Sequence, residues 1–137
     1  MNIYVCGNQL VKEDSLPIKL IPELRKKHSE INFIEYDPTE ELPKEDKLII
    51  IDTVINAKEV MLLEDIDKFV QTKAISLHDF DLGMSLKIAK KMGWLKSVRI
   101  IGIPPNISNP AEKISKIIAT LSSRSEQHSS CKGHKRE

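Results

Sequence analysis

Two acidic positions and one imidazole carry the residue types for metal-assisted chemistry. Glu13 and Asp14 stand in "GNQLVKED", Asp52 closes the apolar run "KLIIID", and His78 lies in "SLHDFDLG". Carboxylate oxygen and imidazole nitrogen drawn from distant segments suit a borderline transition ion such as Zn, Cu, Fe or Ni. Each position also has a local structural reading. Asp14 or Ser15 can cap a following helix, and Asp79 can cap the helix after His78. An Asp at a strand end is often a turn residue, and a lone His is more often structural than a ligand. On the residues alone both readings stand, and position in the fold must separate them.

The elements follow from hydrophobic patterning. "NIYVC" (Asn2–Cys6) predicts a short buried strand. Leu16, Leu20, Ile21 and Leu24 recur at helical spacing, with Pro17 where a first turn tolerates it. Pro22 removes a backbone donor and predicts a kink or a limited first turn. Ile31–Asp37 alternates like a half-buried strand, followed by a polar connection with one helical turn. Lys47–Asp52 is continuously apolar, the pattern of a sheet interior covered on both faces. Lys58–Glu64 predicts another strand, antiparallel because its connection from Asp52 is short. Between Asp65 and Ile75 the pattern does not separate a helical turn from a loop. Asp79–Gly93 predicts a helix ended by glycine, and Ser97–Ile103 a last strand stopped by Pro104-Pro105. Asn109 as N-cap with Pro110 at the first position then starts a final helix.

Strands alternating with helices predict an α/β fold: a three-layer sandwich with a mostly parallel, about five-stranded twisted sheet and helices on both faces. Residues 1–121 form one domain, and the polar segment 122–137 is predicted to be a disordered tail. In open sheets of this kind, sites form beyond the carboxyl ends of the strands. The loop with Glu13 and Asp14, the end of the Asp52 strand and the approach to the His78 helix all fall on that edge.

Composition removes several function classes. The formal charge is +1, aromatic residues make up 4% of the chain, and charges of both signs make up 30%. No nucleic-acid partner is expected from that balance. No apolar run reaches the roughly 18 residues of a membrane span, and the start lacks a signal-peptide pattern, so a cytoplasmic protein is expected. Cys6 and Cys131 form no CxxC spacing. "GNQLVKED" has too few glycines for a phosphate cradle, and no GxSxG or HExxH motif occurs. A receiver-like Mg-binding domain also uses early acids and a strand-end Asp. Against it, Glu13-Asp14 lies well beyond the first strand, and no lysine closes the last one.

"GNQLVKED", "LIIIDTV" and "SLHDFDLGMSLKIAKKMG" followed by "VRIIGIPP" resemble the hydrogenase maturation protease family. The resemblance runs from Met1 to about Leu121, and the block around His78 is its most specific part. It implies a metal-dependent endopeptidase that cuts a C-terminal extension from the large-subunit precursor of a nickel–iron hydrogenase. The nickel is then carried by the precursor partner rather than held as a resident cofactor. The catalytic, metal-contacting residues it implies are Asp14, with Glu13 as the adjoining acid, Asp52 and His78. Asp37 matches a substrate-recognition turn of the family. Two departures stand out: Ser15-Leu16-Pro17 replaces glycines after the acidic pair, and Pro38 interrupts the turn at Asp37. A non-catalytic module that binds the nickel-loaded precursor is the alternative compatible with the same residues.

Overall fold

The strand with the longest apolar run lies at the centre of the sheet. The computed structural model describes the backbone of residues 1–7, 16–37, 40–54, 57–68 and 77–135, and their side chains except 77–81 and 123–135. Within it, β1 (Asn2–Cys6), β2 (Asn32–Tyr36), β3 (Lys47–Thr53), β4 (Met61–Leu63) and β5 (Ser97–Ile103) form one sheet. The strand order is β2-β1-β3-β5-β4. All neighbours pair in parallel except β4, which runs antiparallel along β5. The helices are α1 (Leu16–Lys27), α2 (Leu77–Met92) and α3 (Pro110–Lys135).

Every residue of β3 after Lys47 is buried, because both of its faces are covered. Ile49 and Ile51 join Ile18, Ile21 and Leu24 of α1 and Ile114 and Ile118 of α3 in one core. Leu48 and Ile50 join Leu82, Leu86 and Ala89 of α2 in the other. This is the expected three-layer α/β sandwich. The expected antiparallel strand is confined to Met61–Leu63 and lies beyond β5, not beside β3. A receiver domain orders its strands 2-1-3-4-5; the outer antiparallel β4 here does not fit that topology.

Two element boundaries differ from the expectation, the start of α2 and the end of α3. Pro22 sits on the exposed side of α1, and the helix continues through it to Lys27. Burying Ile18, Ile21 and Leu24, at about 1.5–3 kcal/mol each, outweighs the roughly 3 kcal/mol that an interior proline costs. The second helix starts at Leu77, so His78 and Asp79 lie in its first turn and Asp79 is not its N-cap. The backbone of α3 is helical to Lys135, through the segment predicted to be disordered.

The ends of the elements are tied at the amino edge. Gly93 takes φ 86° after α2, a conformation that suits a residue without Cβ. The amides of Lys96 and Ser97 then both donate to the carbonyl of Asp46, at 2.7 and 3.1 Å. The C-terminal end of α2 is therefore held where β3 and β5 begin. Sixteen residues of α2, about 24 Å at 1.5 Å each, carry its N-terminal turn toward the opposite, carboxyl edge. On the outer strand, the Asn32 amide donates to Met1 O at 3.0 Å, which turns the backbone of Phe33 away from β1. The Arg25 guanidinium donates to that Phe33 carbonyl at 2.8 Å.

Tyr4 and Tyr36 meet edge to face on the α2 side of β1 and β2, with ring centroids 6.2 Å apart. Burial, followed by the nearby Glu45 carboxylate, pushes the Tyr4 phenol up to about 12. Burial raises Tyr36 as well, with Cys6, Glu40 and Asp37 adding to it. Folding thus favours both protonated phenols, and that stabilisation is whole below the ordinary value of 10.0 and lost as pH rises above it. Melting temperatures measured from neutral to strongly alkaline pH are expected to fall beyond pH 10, and Tyr4→Phe to flatten part of that fall.

Candidate functional site

The strand order reverses between β1 and β3. From β1 the chain passes through α1 to β2 on one side, and from β2 it returns across β1 to β3 on the other. Such a switch point opens a crevice beyond the carboxyl ends of the two strands that flank it. β1 ends there at Cys6 and β3 at Asp52-Thr53. The loop that holds Glu13 and Asp14 leaves from the same end of β1.

Asp52 is only 1% exposed. Its Oδ1 accepts the amide hydrogen of Thr53 at 2.8 Å, which fixes the carboxylate against the strand end. By the alternation of side chains along a strand, Asp52 shares the sheet face of Leu48 and Ile50, the face covered by α2. Cys6, buried, shares that face at the end of β1. The helix that carries His78 and the strand that carries Asp52 are therefore on the same side of the sheet. The first turn of that helix points to the same edge.

Asp37 lies on this edge too, one residue past β2. It is exposed, and its carbonyl accepts the Glu40 amide at 2.9 Å. At about 4.8 Å per strand, two strand spacings separate the end of β2 from the end of β3. Glu13 and Asp14 lie outside the described residues, as do the side chains of His78 and Cys131. Among the described residues, no three His, Cys, Asp or Glu side chains form a metal-sized cluster. Asp52 itself is a hard oxygen donor at the mouth of the crevice, a chemistry that fits one corner of the predicted donor set.

Two residues that sequence reasoning passed over shape this edge. Thr53 is 1% exposed, and its Oγ1 is buried with no hydrogen-bond partner among the described residues. It points to the α1 and α3 face, opposite Asp52. Gly102 lies directly across from Asp52 in β5. A Cβ there would come 2.6 Å from Cγ2 of Val54, the residue that carries the chain away from β3. A glycine inside an otherwise apolar strand is the sequence sign of such a close approach. Val54 is fully buried, and its amide donates to Ile103 O at 2.8 Å, so it cannot move aside cheaply.

No family model and no curated relative matches the sequence. Solved structures do match. The hydrogenase-maturating endopeptidase HybD of E. coli superposes with a TM-score of 0.64 at 19% identity, covering 90% of this chain and 94% of that one. An endopeptidase from Escherichia coli gives 0.60 at 18% identity, with the same coverage. The hydrogenase 3 maturation protease gives 0.55 at 17% identity, over 86% of each chain. The fold is that of the hydrogenase maturation endopeptidases. At these identities the fold is what the likeness establishes, and it agrees with the three-layer architecture described above. Among the described residues, no helix is long and apolar enough to cross a membrane.

Two substitutions test how this edge is built. Asp52→Ala strands the buried Thr53 amide and is expected to cost about 1–3 kcal/mol in urea unfolding. Asp52→Asn keeps an oxygen in place and should cost less. Gly102→Ala overpacks Val54 and is expected to lower stability by about 1–3 kcal/mol. An unchanged urea midpoint for Gly102→Ala would contradict the close approach.

Proposed function

We propose that this chain is an endopeptidase that removes a C-terminal extension from the nickel-loaded large-subunit precursor of a nickel–iron hydrogenase. The reading is supported above all by the buried Asp52 at the switch-point crevice of a fold shared with solved maturation endopeptidases. Asp14, with Glu13 beside it, Asp52 and His78 are the residues that would contact the nickel of the precursor. Bound to such a substrate, a divalent ion can polarise the scissile carbonyl or activate water. The protein's part is to present carboxylate and imidazole donors from a rigid strand end and a helix turn, with Asp37 at the rim for substrate recognition.

Nickel-loaded and nickel-free precursor, each incubated with the protein, test the reading by mass spectrometry of the large subunit. Loss of a C-terminal peptide from the loaded form alone is expected. Stable binding without a mass change would instead make the chain a non-catalytic recognition module. His78→Ala is expected to abolish nickel-dependent processing while circular dichroism stays unchanged. Full processing by that variant would remove His78 from the site.

A further inference from the structure

The C-terminal turns of α3 carry ligand residues that the crevice does not use. Half of the chain's four histidines and one of its two cysteines fall in "HSSCKGH", His128 to His134. Each histidine is three residues from Cys131. Such spacing has a spatial meaning only on a regular backbone, and α3 is helical from Pro110 to Lys135. Residues three apart on a helix are neighbours on adjacent turns, with Cβ atoms about 5–6 Å apart. His128, Cys131 and His134 therefore share one stripe of α3, with the cysteine position in the middle.

The sequence gives these turns little hold of their own. Ala111, Ile114, Ile118 and Leu121 bind the first part of α3 to the core. From Ser122 to Lys135 there is no Val, Ile, Leu, Met, Phe, Tyr or Trp, so these turns have no apolar stripe to bury. Gly133 lies inside the helix, where glycine costs about 1 kcal/mol relative to alanine. An ion held across adjacent turns offsets that weakness, because metal binding and the order of the ligating backbone are coupled. Thiolate with two imidazoles favours a borderline transition ion over hard ions that prefer oxygen. Three protein donors leave a fourth tetrahedral position for water.

This stripe is remote from the crevice. α3 begins after β5, on the carboxyl side of the sheet, and His128 stands 18 residues beyond Pro110. That is about 27 Å along the helix at 1.5 Å per residue.

We propose that His128, Cys131 and His134, set on one stripe by the helical backbone of α3, form a site for one zinc-class divalent ion per chain. Cys131 binds as the thiolate and releases its proton to solvent. The site asks nothing of Asp14, Asp52 or His78 and stands apart from the processing reaction.

Cobalt(II) added to the reduced full-length protein is the probe, because a thiolate ligand gives it a sulfur-to-metal charge-transfer band that carboxylate and imidazole do not. The band is expected to saturate at one ion per chain and to be displaced by zinc. It should vanish in Cys131→Ser and persist in Cys6→Ala and His78→Ala. His128→Ala and His134→Ala are each expected to weaken zinc binding by at least about tenfold, the loss caused by removing a residue that merely hydrogen-bonds a ligand. The double variant Gly133→His, His134→Ala keeps every donor type but sets one two residues from Cys131, where it does not face it on a helix. It is expected to bind no better than His134→Ala. Zinc should also slow amide hydrogen exchange over residues 122–135 in the wild type and not in Cys131→Ser. No charge-transfer band, a band that survives Cys131→Ser, or exchange unaltered by zinc would overturn the proposal. Wild-type affinity in the double variant would reveal an adventitious chelate that needs no helix, and would overturn it too. Half an ion per chain, with a dimer in sedimentation, would place the donors on two chains and count against it equally.

Discussion

β3 has no face in water, and the rest of the molecule follows from that. A seven-residue strand buried on both sides requires one helical layer against Ile49 and Ile51 and another against Leu48 and Ile50. Those layers can only be connected by crossovers that turn at the two edges of the sheet. The first polar side chains of β3 beyond Lys47 are Asp52 and Thr53, at the end where the crevice opens. One is pinned by a backbone amide, and the other has a buried hydroxyl without a partner among the described residues.

Much of this was legible in the sequence, and the reasons are specific. β1, β5 and the core of β3 were readable because continuous apolar runs bounded by Gly, Pro or Asp have few other structural uses. Asp52 stood out for the same reason, as a charge at the end of a run that otherwise excludes charge. The start of α2 was less legible. Asp79 has the residue type of a cap, yet it lies within the helix, which runs Leu77–Met92. β4 was legible as an antiparallel strand within Lys58–Glu64, but its neighbour was not, because pairing with β5 is a contact distant in sequence.

α2 joins the candidate site to the core. Its buried stripe holds it to the sheet, and its first turn carries His78 to the carboxyl edge. A helix with apolar residues on more than one side has a weak amphipathic pattern, so its sequence alone does not tell the packed stripe from the exposed one. Packing tells them apart: Leu82, Leu86 and Ala89 are wholly buried, whereas Met84, Ile88 and Met92 are not.

The contact between Arg25 and the Phe33 carbonyl reaches beyond local geometry. β2 is an outer strand, and the outward backbone groups of such a strand form a template that another chain can extend. A guanidinium seated on one of those carbonyls occupies an acceptor that an incoming strand would need and sets a positive charge in its path. At the other margin, β4 offers only three residues. An open sheet whose margins are one plugged and the other too short gives a misfolded or unfolded neighbour little to pair with, so the same arginine that ties α1 to β2 also guards the molecule against growing into a fibre.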